Sequence, residues 1–140
     1  MAVDEQQIKI ISYNCEHADN VRLPFFKQLF EKGDFVLIQE HGLLKSKLSW
    51  FQEINENIGI HGVCAMKEDQ LLRGRPHGGA AILWRGTLSN RVTPVTWDST
   101  RCCAVTVDVA GEKLLIVSVY IPCDDWRHDK NEIEYKNIFK

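Results

Sequence analysis

Apolar segments of strand period and helix period alternate from residue 8 to residue 58, and strand-like segments then follow almost alone to residue 121. This order, βαβα and then β-rich, constrains the fold more than any single motif. A doubly wound parallel sheet would continue to alternate strands with helices, and an all-β barrel would have no helices to place. What remains is a layered α/β sandwich containing a mixed sheet.

The segments can be placed one by one. Residues 8–13 form a strand, and 23–31 a helix with Phe26, Leu29 and Phe30 at helical spacing. Pro24 suits its first turn and Gly33 its end. Residues 35–39 are a short apolar run, hence a buried strand. Trp50, Phe51, Ile54 and Ile58 share one helical face, which predicts a helix over 46–58. A strand over 62–66, a polar loop over 67–77 with Gly74 and Pro76, a strand over 79–84 and extended chain over 91–97 follow. Residues 101–109 alternate, with Cys103, Val105, Val107 and Val109 on one face. Residues 110–112 make a tight turn, and 113–121 is apolar almost throughout. A hairpin is expected, with its second strand central and buried on both faces. Pro122 ends it, and 128–140 is a polar segment predicted to be helical.

At 140 residues, with no linker and no repeat, one domain is expected over 1–140. The net charge of -2 argues against a protein that binds nucleic acid mainly by neutralising phosphates. It leaves room for a hydrolase that meets phosphate through a metal ion. Five cysteines at irregular spacing, with no Cys-x-x-Cys pair, imply reduced thiols. No apolar run reaches the ~20 residues of a spanning helix, and no secretory signal is visible. The expectation is therefore an intracellular protein, nuclear or cytoplasmic, not secreted and without a membrane partner.

Three polar residues fall at the ends of predicted strands: Asn14, Glu40 and Tyr120. If those strands are neighbours, the three meet at one rim, where α/β proteins often keep their active sites. A carboxylate after a buried strand suits a hard cation, an amide can hold or orient a phosphate, and a phenol can donate to developing negative charge. Against this stands a bland alternative: a turn asparagine, a solvated glutamate and an amphipathic tyrosine. Glu16, His17 and Asp19 read as a polar loop, and Asp124 and Asp125 as a loop and a helix cap.

The segments around these residues, 11–15 (ISYNC), 37–41 (LIQEH), 78–84 (GGAAILW) and 117–122 (VSVYIP), resemble in order the strand motifs of the endonuclease/exonuclease/phosphatase family. Residues 39–41, 74–79, the strand start at Arg101-Cys102, and 120–124 are most similar to the endonuclease domain of non-LTR retrotransposons. The resemblance implies a four-layered α/β sandwich that hydrolyses phosphodiesters with Mg²⁺ or Mn²⁺, by in-line attack of water, with DNA as the partner of the complete domain. It implies that Glu40 is the metal ligand, that Asn14 and Tyr120 are catalytic groups near the phosphate, and that His77 and Arg101 have a supporting role there.

The family continues with an Asp-x-Asn strand end and a Ser-Asp-His motif. Asp129-Lys130-Asn131 matches the first by letters alone, and the second is not present. The resemblance therefore covers the N-terminal half of the domain. The expectation is roughly one of its two sheets, with an apolar face awaiting the missing C-terminal half or a covering partner, and little or no activity from this chain alone. A phosphatase or lipid phosphodiesterase of the same superfamily, and a non-catalytic α/β interaction domain, stay open as alternatives.

Overall fold

A computed structural model of the chain describes residues 7–68 and 77–121. Strand β1 (Ile10–Asn14) leads to helix α1 (Leu23–Lys32), and strand β2 (Phe35–Gln39) follows. A 3₁₀ stretch, Lys45–Glu53, precedes β3 (Ile58–Val63) and β4 (Ala80–Arg85). A short 3₁₀ turn, Gly86–Arg91, then leads into β5 (Val92–Val95), β6 (Cys102–Val109) and β7 (Glu112–Val119).

The strands form two sheets. The first is mixed, in the order β1-β2-β4-β3, with β1 and β2 parallel and the other pairs antiparallel. The second is antiparallel, in the order β5-β6-β7. Side-chain alternation sorts the core into two layers. From β4, Ala80, Ile82 and Trp84 join Phe35 of β2 in facing Val92, Cys103, Val105, Val107 and Ile116 of the second sheet. Ala81 and Leu83 join Val36 and Ile38 on the other side, against Phe26 and Phe30 of α1 and Phe51 of the 3₁₀ stretch. The result is helices on sheet on sheet, the α/β sandwich that the element order demands. Among the described residues, no helix is long and apolar enough to cross a membrane.

The predicted hairpin is present. Ala110 and Gly111 both take positive φ, 51° and 82°, the pair of values a tight two-residue hairpin turn requires. Four expectations change. The strand predicted over 62–66 lies earlier, at Ile58–Val63. The helix predicted over 46–58 is a 3₁₀ stretch ending at Glu53, and Ile58 already belongs to β3. The Asn57 N–H donates to Asn55 Oδ1 at 2.9 Å, a side-chain turn that competes with helix continuation. Strand β7 is not central: it lies at the edge of its sheet among the described residues, with Leu115 56% exposed. Finally, the chain does not build one sheet with a bare face. Strands from both sheets are present, and their apolar faces cover each other. The segment 128–140, Cys123, Asp124, Asp125 and Asp129-Lys130-Asn131 lie outside the described residues.

Candidate functional site

Register brings the strand ends to one rim. Asn14 pairs with Gln39 at the carboxyl ends of the parallel strands β1 and β2. In the second sheet Cys102 pairs with Val119, so Arg101 and Tyr120 follow at that sheet's end. The two ends are the same rim, because Ser118 bridges them. Its Oγ donates to the Ile38 carbonyl at 2.9 Å and accepts from Gln39 Nε2 at 3.0 Å. Ser118 is 0% exposed and Gln39 is buried. The strand ends that carry Asn14, Glu40 and Tyr120 therefore lie at one rim, although β7 belongs to the other sheet.

Glu40 has φ 58°, a left-handed conformation that costs a residue with a Cβ on the order of 1–3 kcal/mol. Its surroundings hold it there from two sides. The Glu40 N–H donates to the Gly79 carbonyl at 2.8 Å, and the Gly42 N–H to Gly78 at 2.9 Å. On the other side, the Cys15 N–H donates to the Gln39 carbonyl at 3.1 Å and the Ala18 N–H to His41 at 2.9 Å. Strained backbone held in this way clusters at active sites and ligand clamps, which makes Glu40 a candidate functional position.

His41 anchors this segment from below and is 1% exposed. Its Nδ1 accepts from the Leu43 N–H at 2.9 Å, so the ring proton sits on Nε2, which donates to the Val63 carbonyl at 2.9 Å. Burial pushes its pKa down from the ordinary 6.5. Gly79, at φ 90°, packs against the ring so closely that a Cβ there would overlap it.

The remaining candidates can be placed as well. Asn14 is exposed, and its Oδ1 accepts from the Glu16 N–H at 3.3 Å. Tyr120 is half-buried; its N–H donates to the Arg101 carbonyl at 2.9 Å, and the Arg101 guanidinium lies over its ring at 5.2 Å. The charge of Arg101 is thereby placed beside the phenol. His77 is exposed, two residues before the Gly79 that holds Glu40. Asp19 is committed to Arg22, at 2.8 Å between side chains, in the turn that opens α1. His17 Nδ1 is buried with no hydrogen-bond partner among the described residues. The Cys15 thiol, buried under Gln39 and Glu40, is pushed up to about 11, so it is neutral and no nucleophile.

The donor set can be tested against the cation that the resemblance implies. Among the described residues, no group of three His, Cys, Asp or Glu side chains gathers. One carboxylate with a nearby amide fits Mg²⁺, which keeps several waters and takes only one or two protein carboxylates.

Gly79 bears out the close backbone packing that a Gly-Gly pair at a strand start suggests, whereas Ser118 and His41 lie inside the quoted segments with no role assigned to either. The available signal was polarity out of place. Gln39 and Ser118 each interrupt an apolar run, and a buried polar side chain needs a partner.

The rim and the two sheets define a class, an α/β sandwich with its polar site at the strand ends. Solved structures make the class specific. An AP endonuclease from Leishmania major superposes over 92% of this chain with a TM-score of 0.63 and 13% identity. A 3′ phosphatase from Neisseria, bound to a product DNA hairpin, matches over 94% with a TM-score of 0.56 and 20% identity. The endonuclease domain of TRAS1, a telomere-specific non-LTR retrotransposon, matches over 92% with a TM-score of 0.55 and 12% identity. The chain shares the fold of these three structures. The chain spans about half the length of these structures, 44%, 48% and 52% in the same order. No protein-family model and no curated protein matches the sequence.

Proposed function

We propose that this chain is part of a divalent-metal-dependent phosphodiesterase domain that cuts DNA in the manner of a retrotransposon endonuclease. The reading is carried by the convergence of Asn14, Glu40 and Tyr120 at one rim, with Glu40 locked in a left-handed turn. Glu40 holds the cation, Mg²⁺ or Mn²⁺. When bound, the cation supplies polarisation of the phosphate and neutralisation of charge at the leaving oxygen. Asn14 and Tyr120 position the phosphate by hydrogen bonds that strengthen as its oxygens gain charge, and Arg101 reinforces Tyr120. His77, two residues before the Gly79 that receives the Glu40 N–H, is a further contact for phosphate.

The groups that would orient the attacking water belong to the Asp-x-Asn and Ser-Asp-His motifs of the family. We therefore expect little or no nuclease activity from residues 1–140 alone, and expect DNA cutting once a C-terminal half completes the site. Calorimetric titration with Mg²⁺ tests the assignment. Weak binding is expected, and Glu40→Gln is expected to abolish it; binding that survives the substitution would remove Glu40 from the metal site. Incubation of the same protein with supercoiled plasmid and Mg²⁺ tests the second clause, which robust nicking would overturn.

A further inference from the structure

The rim does not end at Tyr120. Val63 of β3 pairs with Ala80, and Val95 of β5 with Ala104, so both strands finish at the same edge on the far side of β4 and β6. There, the chain after β3 and the loop joining β5 to β6 line an open cleft of about 900 Å³. This lies toward the upper end of ligand sites, which run from about 300 to 1,000 Å³. Its walls are continuous with the site already described. The Arg101 N–H donates to Ser99 Oγ at 3.0 Å, and the Ser99 N–H to the Trp97 carbonyl at 2.9 Å, so one short turn links the residue over Tyr120 to Trp97. On the opposite wall Lys45 begins the 3₁₀ stretch that follows Glu40 by five residues.

The lining chemistry is selective. Trp97 offers a half-buried aromatic surface, and Lys45 and Lys67 offer two cations. Two acids, Glu68 and Asp98, balance them, and Glu68 is occupied in tying the walls together, accepting from the Ser46 N–H at 2.6 Å. A cleft so nearly neutral cannot grip a duplex through dense phosphate contacts. One aromatic platform with two lysines is instead the minimal form of a single-strand site, where an unpaired base stacks and the flanking phosphates are neutralised. A paired base has no free face to offer.

We propose that this cleft binds a single-stranded stretch of nucleic acid beside the hydrolysed linkage, with an unpaired base on Trp97 and adjacent phosphates on Lys45 and Lys67. The proposal rests on the reading of the rim as a phosphodiester site. Its test is fluorescence anisotropy of a labelled ten-nucleotide oligodeoxythymidylate with the full chain in EDTA. Trp97→Ala should weaken binding roughly 5- to 150-fold, and Trp97→Phe should keep most of the affinity. Lys45→Gln/Lys67→Gln should reduce the slope of log affinity against log salt by about 1.4. A base-free phosphodiester chain of equal length should bind the wild type and Trp97→Ala alike. Circular dichroism checks the fold of each variant, and the lysine pair is an independent arm should Trp97→Ala unfold. Absent binding, equal affinity of wild type and a folded Trp97→Ala, an unchanged salt slope, or preference for duplex of the same length would overturn the proposal. Because EDTA removes the cation, Trp97-dependent binding can hold while Glu40→Gln leaves Mg²⁺ binding intact, which would sink the rim reading alone.

Discussion

Gly79→Ala is the sharpest perturbation that the site allows. Gly79 sits at φ 90°, where an alanine is strained by about 1–2 kcal/mol. Its new methyl would overlap Cε1 and Nε2 of His41, and Nε2 is the atom bonded to Val63. His41 has nowhere to retreat, being fully buried and edge-on to Phe51 with ring centroids 6.1 Å apart. Its displacement breaks two hydrogen bonds, each worth about 0.5–1.5 kcal/mol. The sum is about 2–5 kcal/mol, a large part of the ~5–15 kcal/mol a domain typically has. Urea denaturation followed by circular dichroism reads this directly. The decisive comparison is a double-mutant cycle with His41→Ala, which vacates the space that the methyl needs. Gly79→Ala/His41→Ala should cost about 1–3 kcal/mol less than the sum of the single changes. Costs that add to within about 0.5 kcal/mol would refute the packing argument. Since the Gly79 carbonyl receives the Glu40 N–H, the single variant should also weaken Mg²⁺ binding.

Ser118→Ala removes the bridge between the sheets, leaving Gln39 Nε2 without its acceptor, and should cost about 1–3 kcal/mol by urea titration. Ser12→Ala, whose exposed hydroxyl only approaches Gln39 at 3.4 Å, should stay within about 0.5 kcal/mol. His41 is buried neutral with its pKa lowered from 6.5, so the unfolded chain takes up its proton first. Its contribution to stability should be complete above pH 6.5 and decline as pH falls from there toward the folded-state value; His41→Gln, measured alongside, should show a flatter acid limb.

The sequence displays most of this fold because the fold's layers are written in local period. The alternation in 102–109 and the turn at 110–111 survive intact as a hairpin, and the apolar run 35–39 is a strand buried on both faces. Pairing is less legible. Period two shows that Leu114 and Ile116 share a face, but not whether another strand lies beyond them, so β7 read as central when it is an edge among the described residues. Likewise, Phe51, Ile54 and Ile58 are buried as a helical face would bury them, yet the chain satisfies them with a 3₁₀ stretch, an asparagine turn and a strand start. The site divides along the same line. Asn14, Glu40 and Tyr120 stand out as polar residues at strand ends. The partners that orient them do not, because Gln39 and Ser118 are 79 residues apart and meet only when the two sheets stack.

That pair also explains why the interface between the sheets is not apolar throughout. Phe35, Ile82, Val105, Val107 and Ile116 would pack well in more than one sliding position, since apolar contacts are non-directional. A buried hydroxyl that needs both Gln39 and the Ile38 carbonyl permits one register only. The smallest slip of β7 that keeps the face of Ile116 and Ser118 turned inward is two residues, and it would carry Tyr120 about 7 Å along the strand. A phenol moved that far no longer shares a rim with Glu40. The polar bridge is thus best understood as a device of position: it gives up some adaptability of packing so that a residue from one sheet arrives beside a residue from the other.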